Sequence, residues 1–208
     1  MKSANPQPYL TAPLALPHSE IEVFFDVETN PLADSFCYLH GMLERRGGDN
    51  STERFDAFFA NDPSAEAERE AFAGAWAYLK DRPTAIVYFY SKYERTIWRG
   101  LQQEYPDVRT ADEVEVLFSL TRSVDLYNDV VQKATMWPTR DHSIKTLAKF
   151  LGFEWRDANP SGAASIEWFD RWITTGDPTI KQRIIDYNED DNMAARVLLD
   201  GIRSLTLI

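Results

Sequence analysis

Residues 20–29, EIEVFFDVET, constrain the fold more than any other stretch. They read as a strand that is apolar on both faces apart from its acids. Successive strand side chains point to opposite faces, so Asp26 and Glu28 project together, about 7 Å apart along the strand. Phe25 and Val27 go to the other side. Two unpaired carboxylates among apolar neighbours repel each other and lose hydration. A divalent cation relieves both, because magnesium and manganese prefer oxygen ligands. For the tripeptide taken alone, the plainer reading is a frayed strand with both acids in water.

The rest of the chain supplies the layers. Residues 1–19 read as an extended arm held open by Pro6, Pro8, Pro13 and Pro17, and residues 20–208 as one domain. Strands are expected from about Phe36 to Arg45 and, more weakly, from Thr52 to Ala60, with Gly47–Gly48 as the turn between them. The three strands suggest an antiparallel meander. Ser64 caps a helix running to Leu79, and TAIVYFY, residues 84–90, is a strand by its β-branched and aromatic content. Helical patterns dominate from Tyr93 on. Ser143 or Asp141 caps IKTLAKFLGF, Ser165–Ile173 is helical, and Pro178 opens a last helix to about Ile202. Strands, helix, strand and then helices make an α/β or α+β layered domain with a mixed sheet.

The last helix carries a second informative acid. Ile180, Ile184, Ala194, Leu198 and Ile202 follow a 4-3-4-3 spacing, and filling it in places Tyr187 and Asp191 on the same stripe. No lysine or arginine lies three or four residues from Asp191 on that face. Asp191 is therefore expected to point inward without a local counter-ion, while Asp186, Glu189 and Asp190 form a solvated acidic face.

An Asp-x-Glu on the first strand with Tyr-x-x-x-Asp on a late helix resembles the ribonuclease H-like 3′–5′ exonucleases of the DnaQ-like superfamily, which have four metal-binding acids and a catalytic tyrosine. VFFDVET, SIKTLAKFLGF and YNEDDNMAARVL are more similar still to the YprB-type ribonuclease H-like domain, found beside RecB-type modules. The resemblance covers roughly residues 20–200. It implies a ribonuclease H-like fold, an antiparallel meander plus parallel strands flanked by helices. It also implies a third acid just after the central strand. Tyr93–Glu94 fills that slot, with glutamate where the broader group has aspartate. Asp125, in RSVDLYNDV, is the alternative acid, as a direct ligand, as a helper outside the ligand set or as a helix cap.

On this reading Asp26, Glu28, Glu94 and Asp191 hold two Mg2+ or Mn2+ ions roughly 3.5–4 Å apart for phosphodiester hydrolysis. Tyr187 orients the attacking water rather than deprotonating it, since a free phenol has a pKa near 10. The expected substrate is single-stranded DNA or RNA, and the expected partner a RecB-type or helicase module in a larger protein. Lys145 is the best phosphate contact, with Arg140 and Lys149 near it in a basic face. Trp137, Trp155 and Trp168 read as core residues, or as stacking surfaces for bases.

Composition bounds the alternatives. Thirty-three acids against 22 Lys and Arg leave a net charge of −11, which counts against strong non-specific nucleic-acid binding and is neutral towards a metal-dependent nuclease. One cysteine, Cys37, allows no internal disulfide, and the three histidines make no zinc pattern. The first twenty residues lack the continuous apolar centre of a secretory signal, and no apolar run comes near the roughly 20 residues of a membrane span, so a cytoplasmic setting is expected. Two rival functions stand beside the nuclease. One is a non-catalytic nucleic-acid or protein-binding module that keeps the fold; the other is a phosphoryl hydrolase acting on a small nucleotide.

Overall fold

The computed structural model describes residues 6–33 and 35–208; the first five residues of the expected arm lie outside them. The strands are β1 (Tyr9–Leu10), β2 (Ile21–Asn30), β3 (Phe36–Arg46), β4 (Asp49–Phe59), β5 (Ile86–Phe89), β6 (Ser123–Asp125) and β7 (Thr135–Met136). The helices are α1 (Ala65–Lys80), α2 (Tyr93–Glu104), α3 (Ala111–Leu117), α4 (Gln132–Ala134), α5 (Ile144–Phe150), α6 (Gly162–Thr175) and α7 (Pro178–Arg203). A π-helical segment, Leu126–Val131, joins β6 to α4.

The central sheet has the order β4-β3-β2-β5-β6. β2, β3 and β4 form the antiparallel meander, and β5 and β6 add parallel to β2. The expected mixed sheet flanked by helices is therefore what the chain forms. Gly47 and Gly48 both have positive φ, 58° and 69°, which lets a two-residue turn join Arg46 to its partner Asp49. That tight turn is why β4 starts at Asp49, ahead of the expected Thr52.

Strand alternation sorts the core into two faces. Val23, Phe25 and Val27 pack with Phe72 of α1, Trp98 of α2 and Val114 of α3. Phe24 points the other way, to Leu126, Leu147 of α5 and Leu198 of α7. At one end of that second face, Tyr38 and Leu39 meet Trp168 and Phe169 of α6 and Ile184 and Tyr187 of α7. The arm does not hang free: β1 pairs antiparallel with β7, and Leu14 and Leu16 pack on the α7 side. β6 and β7 were not expected from the sequence. No helix among the described residues is long and apolar enough to cross a membrane.

Candidate metal centre

Asp26 and Glu28 lie on the α7 face of β2, two residues apart. β3 runs beside them with Gly41 opposite Asp26 and Leu39 opposite Glu28. A bulge follows at once: Thr29 pairs with Cys37, so Tyr38 is the extra residue of β3. The freed backbone N–H of Cys37 donates to Glu68 Oε1 of α1 at 2.5 Å, and Tyr105 Oη donates to the other carboxylate oxygen at 2.7 Å.

α7 crosses this face with its apolar stripe buried, and the rotation brings Asp191 inward as expected. Asp26, Glu28 and Asp191 each offer a carboxylate oxygen, and these oxygens all lie within 4.8 Å of one another. α7 can come this close because Gly41 has no side chain. A Cβ there would sit 1.7 Å from Asn188 Oδ1. Asn188, fully buried, donates from Nδ2 to Asp26 Oδ2 at 2.6 Å and fixes that carboxylate. Glu28 is steadied by Ser165 of α6, whose hydroxyl also meets Tyr38 Oη at 2.8 Å.

Glu94, the second residue of α2, is buried, and its Oε2 has no hydrogen-bond partner among the described residues. Its charge acts on Asp26, and that of Asp191 acts on it, so it borders the three-carboxylate group. Asp125 is not free in this way. Both of its oxygens accept hydrogen bonds, from Ser91 N, Asn128 N and Asn128 Nδ2, so the cap role anticipated as one alternative is the one the geometry supports.

Three further side chains frame Asp191. Trp155 Nε1 donates to its Oδ1 at 2.6 Å. Tyr187, one turn earlier and buried, hydrogen-bonds it as well. Lys145 Nζ, from the first turn of α5, donates to Tyr187 Oη at 2.9 Å and lies 5.0 Å from the centre of that ring. Ser143 is the N-cap of α5, as expected, accepting from Thr146 N. Tyr93, the residue before Glu94, is 45% exposed, and its hydroxyl shares a 2.6 Å hydrogen bond with Thr29 Oγ1.

The electrostatics follow from crowding. Burial, then Asp191, Glu28 and Glu94, push Asp26 well above the usual carboxylate range. Burial and Asp191 raise Glu28 to about 8, against hydrogen bonds from Ser165 and Asn188. Burial raises Asp191 despite the opposing charge of Lys145, and burial with Asp125 and Asp191 raises Glu94. Burial and the neighbouring carboxylates also hold the Tyr187 phenol protonated. Lys145 alone does not cancel this concentration of negative charge. Three hard oxygen donors close together, with the orphaned buried oxygen of Glu94 bordering them, fit a divalent cation. Asp26, Glu28 and Asp191 with Glu94 are the residues that would hold it.

One sequence expectation needs correcting. Asp190 does not join a solvated face. It is buried and accepts from Arg156 N and Nε, both at 2.8 Å, while Asp186 and Glu189 take the outer side of the same arginine. The expected core tryptophans Trp137, Trp155 and Trp168 are all buried, and Lys149 is exposed. Asn188 and Ser165 were missed. A signal for Asn188 existed: Asn188 and Asn192 sit four apart in line with Ile184, Ala195 and Leu199, so two amides interrupt an apolar row.

A family model of the RNase_H superfamily matches residues 23–202. Comparison with curated proteins and with solved structures returns no match.

Proposed function

The chain belongs to the RNase_H superfamily and is at that level a metal-dependent phosphodiester hydrolase, and from this premise we propose that it is a 3′–5′ exonuclease acting on single-stranded DNA or RNA. The observation that carries the reading is the convergence of Asp26, Glu28 and Asp191, from opposite ends of the chain, within 4.8 Å. Magnesium or manganese, two ions on this reading, would supply the Lewis-acid charge at the reacting phosphate.

The chain's own residues divide the remaining work. Asn188, Ser165 and Trp155 hold three carboxylates in fixed orientations, so little reorganisation is left for the reaction. Tyr187 stays protonated, and its hydroxyl is fixed by Lys145 and Asp191. It therefore orients an attacking water by hydrogen bonding and does not act as the base. Lys145 Nζ gives one hydrogen bond to Tyr187 Oη, and its ammonium has two further donors to offer a phosphate oxygen. The exposed Tyr93 ring offers a stacking face for an unpaired base, which favours a single strand. A RecB-type or helicase module in the same protein is the partner this activity suits.

The test is cleavage of a 5′-labelled single strand with Mn2+. The parent should give a ladder shortened one nucleotide at a time. Asp26→Asn and Asp191→Asn should give none while keeping the parent's circular dichroism. Cleavage by either variant at the parent's rate rules out this site, and a single internal cut rules out the exonuclease reading. If calorimetry finds no Mn2+ bound, the non-catalytic module remains.

A further inference from the structure

α2 begins without the usual device. Its N-cap residue, Lys92, makes no side-chain cap hydrogen bond. The turn before it contains Ser91 at φ 92°, a left-handed conformation that costs a non-glycine residue stability. Such a residue persists only where its surroundings hold it. Here the holder is Asp125, at the end of β6. Its Oδ1 accepts from Ser91 N at 3.1 Å, and Ser91 Oγ in turn accepts from Tyr93 N at 3.3 Å. Glu94 is the next residue.

Asp125 is itself locked in place. It is 2% exposed. The π-helical segment that follows returns Asn128 to it, with backbone N at 2.9 Å on Oδ1 and Nδ2 at 2.7 Å on Oδ2. π-helical turns inside a fold recur at functional sites. A carboxylate with both oxygens engaged has little left for a cation, whereas Glu94 Oε2 is buried and unpartnered.

From this geometry we infer that Asp125 is a positioning residue: it clamps the strained Ser91 turn and so holds Glu94 at the carboxylate cluster, without being a ligand itself. The inference rests on the metal-dependent reading of that cluster. Asp125 acts through two hydrogen bonds in series, from β6 to the Ser91 turn and from Ser91 to the first turn of α2.

Three variants separate this role from the alternatives: Asp125→Ala, Asp125→Asn and the double variant Ser91→Gly/Asp125→Ala, with Ser91→Gly as the reference. Asp125→Ala should raise the Mn2+ concentration for half-maximal cleavage about 10–100-fold, as loss of an outer partner of a metal ligand does. Asp125→Asn keeps an acceptor for Ser91 N and should recover most of that loss. Ser91→Gly removes the strain, so the double variant should recover about tenfold or more of it. A direct ligand would behave otherwise: Asn would be as damaging as Ala, and glycine at 91 would rescue nothing. That pattern, or an Asp125→Ala variant indistinguishable from the parent, overturns the inference.

Two readouts do not depend on cleavage. In metal-free protein, amide hydrogen exchange over residues 86–104 should quicken in Asp125→Ala and return towards the parent's rate in Asp125→Asn; unchanged exchange overturns the inference. Calorimetric Mn2+ titration should show the same order of affinities. If the parent binds Mn2+ but cleaves no strand, the nuclease reading fails while these two measurements still decide the role of Asp125.

Discussion

Gly41→Ala is the smallest change that should unseat the site. Gly41 lies on β3 opposite Asp26, and the added methyl group would fall 1.7 Å from Asn188 Oδ1 and 2.9 Å from Asn192 Nδ2. Neither amide can swing away freely. Asn188 is fully buried and bound to Asp26, and Asn192 Nδ2 donates to Asn188 O at 2.9 Å. Either the Asn188–Asp26 hydrogen bond breaks or α7 lifts from the sheet. Leaving a buried hydrogen-bonding group without its partner costs about 1–3 kcal/mol, and overpacking adds about 1–3 kcal/mol. A net loss of roughly 3–5 kcal/mol should lower the melting temperature by about 2–4 °C per kcal/mol for a chain of this size. The assay is a thermal melt with and without Mn2+. Because Asp26 loses its orienting partner, the stabilisation by Mn2+ should shrink as well, corresponding to an affinity about 10–100-fold weaker. A Gly41→Ala protein that melts within about 2 °C of the parent, with the same Mn2+ shift, would show that α7 does not press on β3 at Asn188, and the assembly of the cluster described above would be wrong.

Other expectations follow from the same geometry. Tyr187→Phe removes the hydroxyl that meets Lys145 and Asp191, and cleavage should slow about 10–100-fold with Mn2+ binding retained; loss of Mn2+ binding in calorimetry would contradict the assigned role. In metal-free protein the raised pKa of Glu28, about 8 against an ordinary 4.5, means the folded state holds a proton that the unfolded state has released. Stability should therefore fall as pH rises between those values, and denaturant melts at pH 5 and pH 8 should show it. Mn2+ should reverse that trend and release protons on binding, read as a calorimetric heat that depends on buffer ionisation; a heat independent of buffer would refute the protonated cluster. Arg156→Ala takes the guanidinium away from buried Asp190, which keeps its hydrogen bond from the residue-156 backbone N. Since Arg156 is half exposed, the cost should be about 1–2 kcal/mol, seen as a shifted urea midpoint.

What could be read from sequence depended on periodicity. β2 declares its acids because a two-residue period forces Asp26 and Glu28 to one side, and α7 declares Asp191 because its apolar stripe sets the helix rotation. β6 and β7, three and two residues long, are too short for any period to show. The partners of the acids were illegible for another reason. Lys145 and Trp155 reach α7 from segments 42 and 36 residues earlier, and Arg156 buries Asp190 from 34 residues earlier. A run such as NEDDN looks solvated until the side chains that cover it are known. The clamp on Ser91 was hidden too, because serine carries no mark of a left-handed backbone.

Asn188 grips Asp26 across 162 residues of chain. A contact of that span comes at the end of assembly, since wide loops close after local elements have formed. A polypeptide halted before its final helix would have Asp26, Glu28 and Glu94 but lack Asp191 together with the amide that orients Asp26. Such a fragment has an incomplete and unfixed set of carboxylates, so the site is finished only when the last long segment docks.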